Sequence, residues 1–296
     1  MVLVLMGVRL GAEERRNGPL RRRLGLAANL LAVAACAVPG AHGQEPATST
    51  ASAQKPPVFE VATIKPARPG MWRQDYDTEG NRLTVTNYTV RRLIREAYGL
   101  KSDSQILGGP KWIDEQAFDI VAKVDDSEAA RLDKMNDDQS DREWDLMLQS
   151  LLAERFQLKV SRSQRNLPVF ALMVARPGPK LKHTPDKGAN GQSGDSGIDI
   201  HGGELTANDV SMDNFADALT SLRDIGNRVV INRTGLAGNF NFQLDWARDH
   251  GQGPSPDSPY PSLFGALPEQ LGLKLKPERS TVDVVVVESA AEPTVN

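Results

Sequence analysis

The strongest constraint on this chain is that its second half repeats the pattern of its first. Residues 83–89 (LTVTNYT) match residues 205–211 (LTANDVS) at an offset of 122. Each segment is followed by apolar residues at i, i+3, i+4 and i+7: Val90, Leu93, Ile94 and Ala97, then Met212, Phe215, Ala216 and Leu219. That spacing lines one face of a helix. Thr89 and Ser211 stand where the helices begin, and each can accept an orphan backbone N–H as a cap. At the same offset of 122, residues 118–124 (FDIVAKV) meet 240–246 (FNFQLDW), both alternating as strands do. Residues 152–160 (LAERFQLKV) meet 267–275 (LPEQLGLKL) at an offset of 115, and strands expected at 169–174 and 284–289 keep that offset. Matching segments in the same order predict an internal duplication. The fold class that follows is α+β, two tandem similar halves, each roughly β-α-β-β-α-β-β. Pro268 falls inside the fourth helix, which is expected to be short or kinked there.

The halves occupy residues 58–176 and 204–291. Between them, residues 177–203 are rich in Gly, Pro and polar side chains and read mostly as loop. Residues 292–296 form a tail. Upstream, residues 44–57 (QEPATSTASAQKPP) read as a flexible tether. Arg21, Arg22 and Arg23 precede an apolar run at 24–38 and the small residues Ala41 and Gly43, which makes residues 1–43 a secretory signal peptide. The run is shorter than the ~20 residues of a spanning helix. In a rival reading, Val33-Ala34-Ala35-Cys36 is a lipoprotein box and Cys36 the site of lipidation. The protein is therefore expected to be exported, periplasmic or extracellular, or held as an outer-membrane lipoprotein through Cys36.

Removing residues 1–43, with six Arg and two Glu, takes the formal charge from −3 to −7. An acidic chain fits neither nucleic acid nor an anionic lipid surface. A single cysteine excludes a disulfide framework and a Cys-based zinc site. No HExxH, phosphate loop, GxGxxG or calcium loop occurs. Residues 194–197 (GDSG) mimic the nucleophile segment of trypsin-like proteases. They lie in the Gly-rich linker without a matching histidine segment, so no catalytic residue is assigned. His183, His201 and His250 fall in polar loops with no ligand spacing, and the acidic run 125–145 lacks the Gly turn and closing Glu of a calcium site. No metal and no cofactor is expected.

Two features remain as candidate ligand contacts. Trp112 follows the Gly108-Gly109-Pro110-Lys111 turn. It either covers an edge of the core or stands exposed as a platform. Arg91, Arg92 and Arg95 fall on the outer face of the first helix, where the second half has Asp213, Asn214 and Asp217. The basic and acidic faces either meet across a pseudo-two-fold axis or are solvated separately.

Residues 59–66 (FEVATIKP), 108–112 (GGPKW), 152–156 (LAERF), 167–170 (LPVF), 234–238 (TGLAG) and Glu292-Pro293 occur in this order. As a set they resemble a family of uncharacterised secreted proteins, abundant in soil acidobacteria and known as a domain of unknown function. The resemblance runs from Val58 to the C-terminus. The family carries no established activity or site residues, so none transfers. Related domains sit at the end of membrane metallopeptidases of the antibiotic-sensor type, which implies an extracytoplasmic sensing or interaction role. In pattern alone, Ser211-Met212 with Phe215 and Leu219, then 236–238 (LAG) and Leu271-Gly272-Leu273, resemble the short N-terminal domain of secretins and TonB-dependent receptors, an interaction module. The expected function is non-catalytic binding of an envelope protein or extracellular ligand. The alternatives are a secreted hydrolase with a loop-built site and a lipid-anchored structural envelope protein. An enzyme predicts a concave pocket with convergent polar groups, and a binding module predicts an open sheet edge or an apolar patch.

Overall fold

Alternation in Leu83 and Val85, and again in Leu205 and Ala207, sends every second side chain to one face, and each of these residues is buried. A computed structural model describes residues 57–184, 196–248 and 258–293. The signal peptide, Cys36, the tether up to Pro56, part of the linker, His250 and residues 294–296 lie outside the described residues.

In chain order the elements are β1 (Val61–Pro66), β2 (Asp75–Glu79), β3 (Arg82–Thr89), α1 (Val90–Ala97), β4 (Ile106–Gly108), α2 (Trp112–Glu115), β5 (Ala117–Lys123), α3 (Asp126–Leu132), α4 (Asp137–Arg155) and β6 (Lys159–Val174). They continue with β7 (Lys182–His183), β8 (Gly197–His201), β9 (Glu204–Ser211), α5 (Met212–Thr220), β10 (Val230–Asn232), β11 (Asn239–Asp245), α6 (Leu263–Ala266) and β12 (Leu273–Ser289). The strands make three four-stranded sheets, ordered β1-β5-β3-β2, β7-β11-β9-β8 and β10-β6-β12-β4. The architecture is α+β. The first two sheets have the same order, and the third lies between them in composition, with strands from both halves.

The registers recur as well. Leu83 pairs with Ala122 and Tyr88 with Phe118; at an offset of 122, Leu205 pairs with Leu244 and Val210 with Phe240. Thr89 caps α1 by accepting the Arg92 N–H at 3.3 Å, and Ser211 caps α5 by accepting the Asn214 N–H at 3.2 Å. The apolar faces named from spacing are buried in both helices. On the alternating strand 240–246, Phe242 is only partly buried, packed edge-on against Phe215.

The central sheet departs from the expected order of elements. Two strands were expected at the end of each half, but β6 is one strand of 16 residues and β12 one of 17. They pair antiparallel from Val174 against Leu273 to Val160 against Val287. The polar middle, residues 161–166 (SRSQRN), has no inward apolar residues. Ladder hydrogen bonds need no apolar side chains, and here the ribbon is solvated. Asn166 pairs with Thr281, and these two residues also correspond at the offset of 115, so the ribbon is symmetric about that pair.

The ribbon exchanges strand ends between the halves. Ile106 of β4 pairs with Val285, and Val230 of β10 pairs with Phe170. Val285 and Val287 complete the core built by the first half, and Phe170 and Leu172 complete that of the second. The linker also departs from expectation. It contains β7 and β8, which pair with β11 and β9 as β1 and β2 do with β5 and β3. At two and five residues they are too short to leave much periodicity to read. Their presence puts His183 and His201 in strands rather than loops.

The fourth helix is short, as Pro268 requires. One turn of α6 runs into a π turn over Leu267–Leu271. Its counterpart α4 has 19 residues and is capped by Asn136, with Asp137 and Asp138 in the first turn, where the helix dipole favours anions.

Candidate functional site

The arginines of α1 are largely engaged by their own half. Arg91 donates from Nη1 to the Ile106 carbonyl at 2.7 Å and from Nη2 to Asp114 Oδ2 at 3.1 Å, with Nε on Asp114 Oδ1. Arg95 pairs with Glu96 at 3.1 Å and Asp103 at 3.2 Å. Their side chains are only 18% and 20% exposed. The outward basic face read from helical spacing is therefore corrected for Arg91 and Arg95, because an eight-residue helix is flanked by β4, α2 and the turn at Asp103. The acidic counterparts have partners elsewhere. Asp213 accepts from Asn232 Nδ2 at 3.1 Å, and Asp217 pairs with Lys101. Beside α1, Lys101 reaches Asp217 of the second half, and Ser102 Oγ donates to the Asn227 carbonyl at 2.9 Å.

Trp112 is no platform. It is half-buried, with its ring stacked on Phe156 at a centroid distance of 6.5 Å and 14° between planes. The preceding turn serves close packing: a Cβ on Gly109 would come within 2.5 Å of the Ile113 side chain and 3.2 Å of Val287. Gly109 also holds φ +87°, a region that disfavours L side chains.

The third arginine leads elsewhere. Arg92 lies over the Tyr88 ring at 4.2 Å and donates to Gln74 Oε1. Gln74 Nε2 donates to the Asn87 carbonyl at 3.1 Å. Asn87 is the extra residue of a β-bulge in β3 and holds φ +57°. Its N–H donates to Asp119 Oδ1 at 2.8 Å, and its Nδ2 donates to the carbonyls of Met71 at 2.7 Å and Arg73 at 3.3 Å. One amide thus holds the backbone on both sides of Trp72. The Trp72 side chain stands 90% exposed and Met71 43%. Arg68 and Arg73 flank them, and residues 65–74 contain no acid. Asp75 pairs loosely with Arg73 at 3.9 Å.

The tyrosines beside this network are neutral. Burial pushes the Tyr76 phenol far above its usual range, and the carboxylates of Asp145 and Glu96 act in the same direction. Burial also raises Tyr88, against the opposing Arg92 cation. Both rings stay uncharged at neutral pH, 5.9 Å apart, and Tyr88 presents its face to the Arg92 cation.

A hollow of about 70 Å³ opens at the other end of β1, lined by Val58, Phe59, Ala62, Leu151, Glu60 and Glu154, together with Ser150 and Arg155. Among the described residues no group of three His, Cys, Asp or Glu is arranged around a metal ion, and no helix is long and apolar enough to cross a membrane. Trp72, Gln74 and Asn87 escaped sequence reasoning. The signals present were the match of Asn87 with Asp209 and, separately, the Pro69-Gly70 pair before Met71.

No curated protein and no solved structure matches the chain. A family model, described as "Protein of unknown function (DUF3738)", matches residues 91–290. The Trp72 loop and β1 to β3 precede that span. With well over half its length matched, the chain belongs to the DUF3738 family of proteins of unknown function.

Proposed function

We propose that this protein is an exported, internally duplicated, non-catalytic interaction module of the bacterial envelope, and that the Trp72 loop is its principal contact. The observation that carries this reading is a tryptophan held out in solvent by hydrogen bonds on both sides of it. Folding gains nothing from an aromatic left 90% exposed, whereas an anchor fixed before binding loses little entropy on docking. Trp, Met and Arg, the residue types of this loop, are the ones enriched at interfaces, and Trp and Arg dominate hot spots. Export rests on the basic, apolar and small-residue leader, and duplication on the shared offsets and registers.

The test is capture from envelope extract by the mature chain and by Trp72→Ala, with circular dichroism to verify the fold. A partner retained by wild type and lost from a folded Trp72→Ala supports the reading. Equal capture by both would remove the loop from it.

A further inference from the structure

We infer that the partner of the Trp72 loop is a second copy of this chain, whose hollow beside Val58 receives it. This deepens the reading of the loop as an interaction site and rests on it.

The two surfaces are complementary in charge. The loop is convex, with Met71 and Trp72 at its apolar tip and Arg68 and Arg73 beside them. The hollow is concave and its accessible lining is mainly polar: Glu60, Glu154, Ser150 and Arg155 line it together with Val58, Phe59, Ala62 and Leu151, so it offers two carboxylates against one cation. Among the described residues Arg68, Glu60 and Glu154 have no ion-pair partner, so docking breaks no salt bridge of theirs. Apolar surface for the indole is exposed at Val58, 44%, and at Leu146, 43%. Leu146 lies one turn before Ser150 on the same face of α4. A volume of about 70 Å³ admits an indole edge or the Met71 thioether rather than a whole indole, so Val58 and Leu146 would cover the rest.

The placement sets the geometry of association. Val58 to Ala62 lead into β1 and the Trp72 loop follows Pro66, so donor and acceptor sit at opposite ends of a six-residue strand. That strand is about 20 Å long at ~3.3 Å per residue. A loop at one end cannot fill the hollow at the other end of the same molecule. The contact between copies is head-to-tail, and it grows by addition unless it closes into a ring.

Sedimentation velocity of the mature chain over a range of concentrations tests this. The average mass of wild type is expected to rise with concentration. Trp72→Ala, which lacks the donor, and Glu60→Lys/Glu154→Lys, which lacks the acceptor, are each expected to weaken self-association about thirty-fold, the effect of removing a hot-spot anchor. Mixed, the two variants are expected to form a 1:1 dimer that grows no further, because one still has the loop and the other still has the hollow. Both variants are first shown to be folded by circular dichroism. A wild type that stays monomeric, self-association that survives Trp72→Ala, or a mixture that stays monomeric overturns the inference. If wild type is monomeric while Trp72→Ala still loses a foreign envelope partner, the self-docking fails and the interaction reading stands.

Discussion

The two halves carry the same bulge with the amide and the carboxylate exchanged. In the first half Asn87 occupies the bulge at φ +57° and Asp119, on the neighbouring strand, accepts its N–H at 2.8 Å. In the second half Asp209 occupies the bulge at φ +53° and Asn241 accepts its N–H at 2.7 Å. The backbone needs one side-chain oxygen opposite a residue that tolerates positive φ, and Asn or Asp meets either need. The side chain of the bulged residue makes the difference. The Asn87 amide has two N–H donors and spends them on the carbonyls around Trp72. Asp209 can only accept, and it takes the Asn239 Nδ2 at 3.0 Å. A shared folding device thus supports a clamp in one half alone.

Core truncations should break the comparison hardest. Phe156→Ala in the first half and Phe215→Ala in the second each remove a fully buried ring and should cost about 3–5 kcal/mol. Since each half closes the other's core, thermal unfolding should stay a single transition in both variants. Two separated transitions would mean that the halves are independent domains. Next in size are the bulge locks. Asp119→Ala and Asn241→Ala each remove the acceptor of a bulge N–H, and each should cost about 1–3 kcal/mol by chemical denaturation. Asp119→Asn and Asn241→Asp keep an acceptor and should cost under about 1 kcal/mol. A large penalty for these two swaps would contradict the interchangeability of the locks.

The clamp gives a smaller and more local effect. Asn87→Asp keeps the positive-φ preference and removes both donors, so stability should fall by about 1 kcal/mol. The anisotropy of Trp72 emission should fall with it, read in a chain where Trp112, Trp144 and Trp246 are replaced by Phe. Asp209→Asn should leave that anisotropy unchanged. Smallest of all, Asn166→Ala and Thr281→Ala alter exposed side chains at the centre of the ribbon and should stay within about 0.5 kcal/mol.

Much of this architecture was legible in the residues. The caps Thr89 and Ser211, the buried faces of α1 and α5, and the short helix at Pro268 follow from local chemistry, which spacing reports. The long ribbon did not, because residues 161–166 have no buried face to produce a period. The strand exchange was invisible for a similar reason: Val285 is apolar whichever core it enters. The site lay furthest from local patterns. Trp72 is fixed by Asn87 and Gln74, with Arg92 beyond them, a network that exists only once β3 and α1 are in place. The spacing that put Arg91, Arg92 and Arg95 on one helix face could not report that Asp114 and Asp103 would engage two of them.

The central claim is that the halves exchange strand ends, and amide hydrogen exchange in two variants tests it most directly. Phe170→Ala lies in the first half of the chain but packs in the second core, and Val285→Ala does the reverse. The strand exchange predicts that Phe170→Ala accelerates exchange chiefly in β9, α5 and β11, and that Val285→Ala does so chiefly in β3, α1 and β5. Acceleration confined to the half in which each substitution lies along the chain would contradict it.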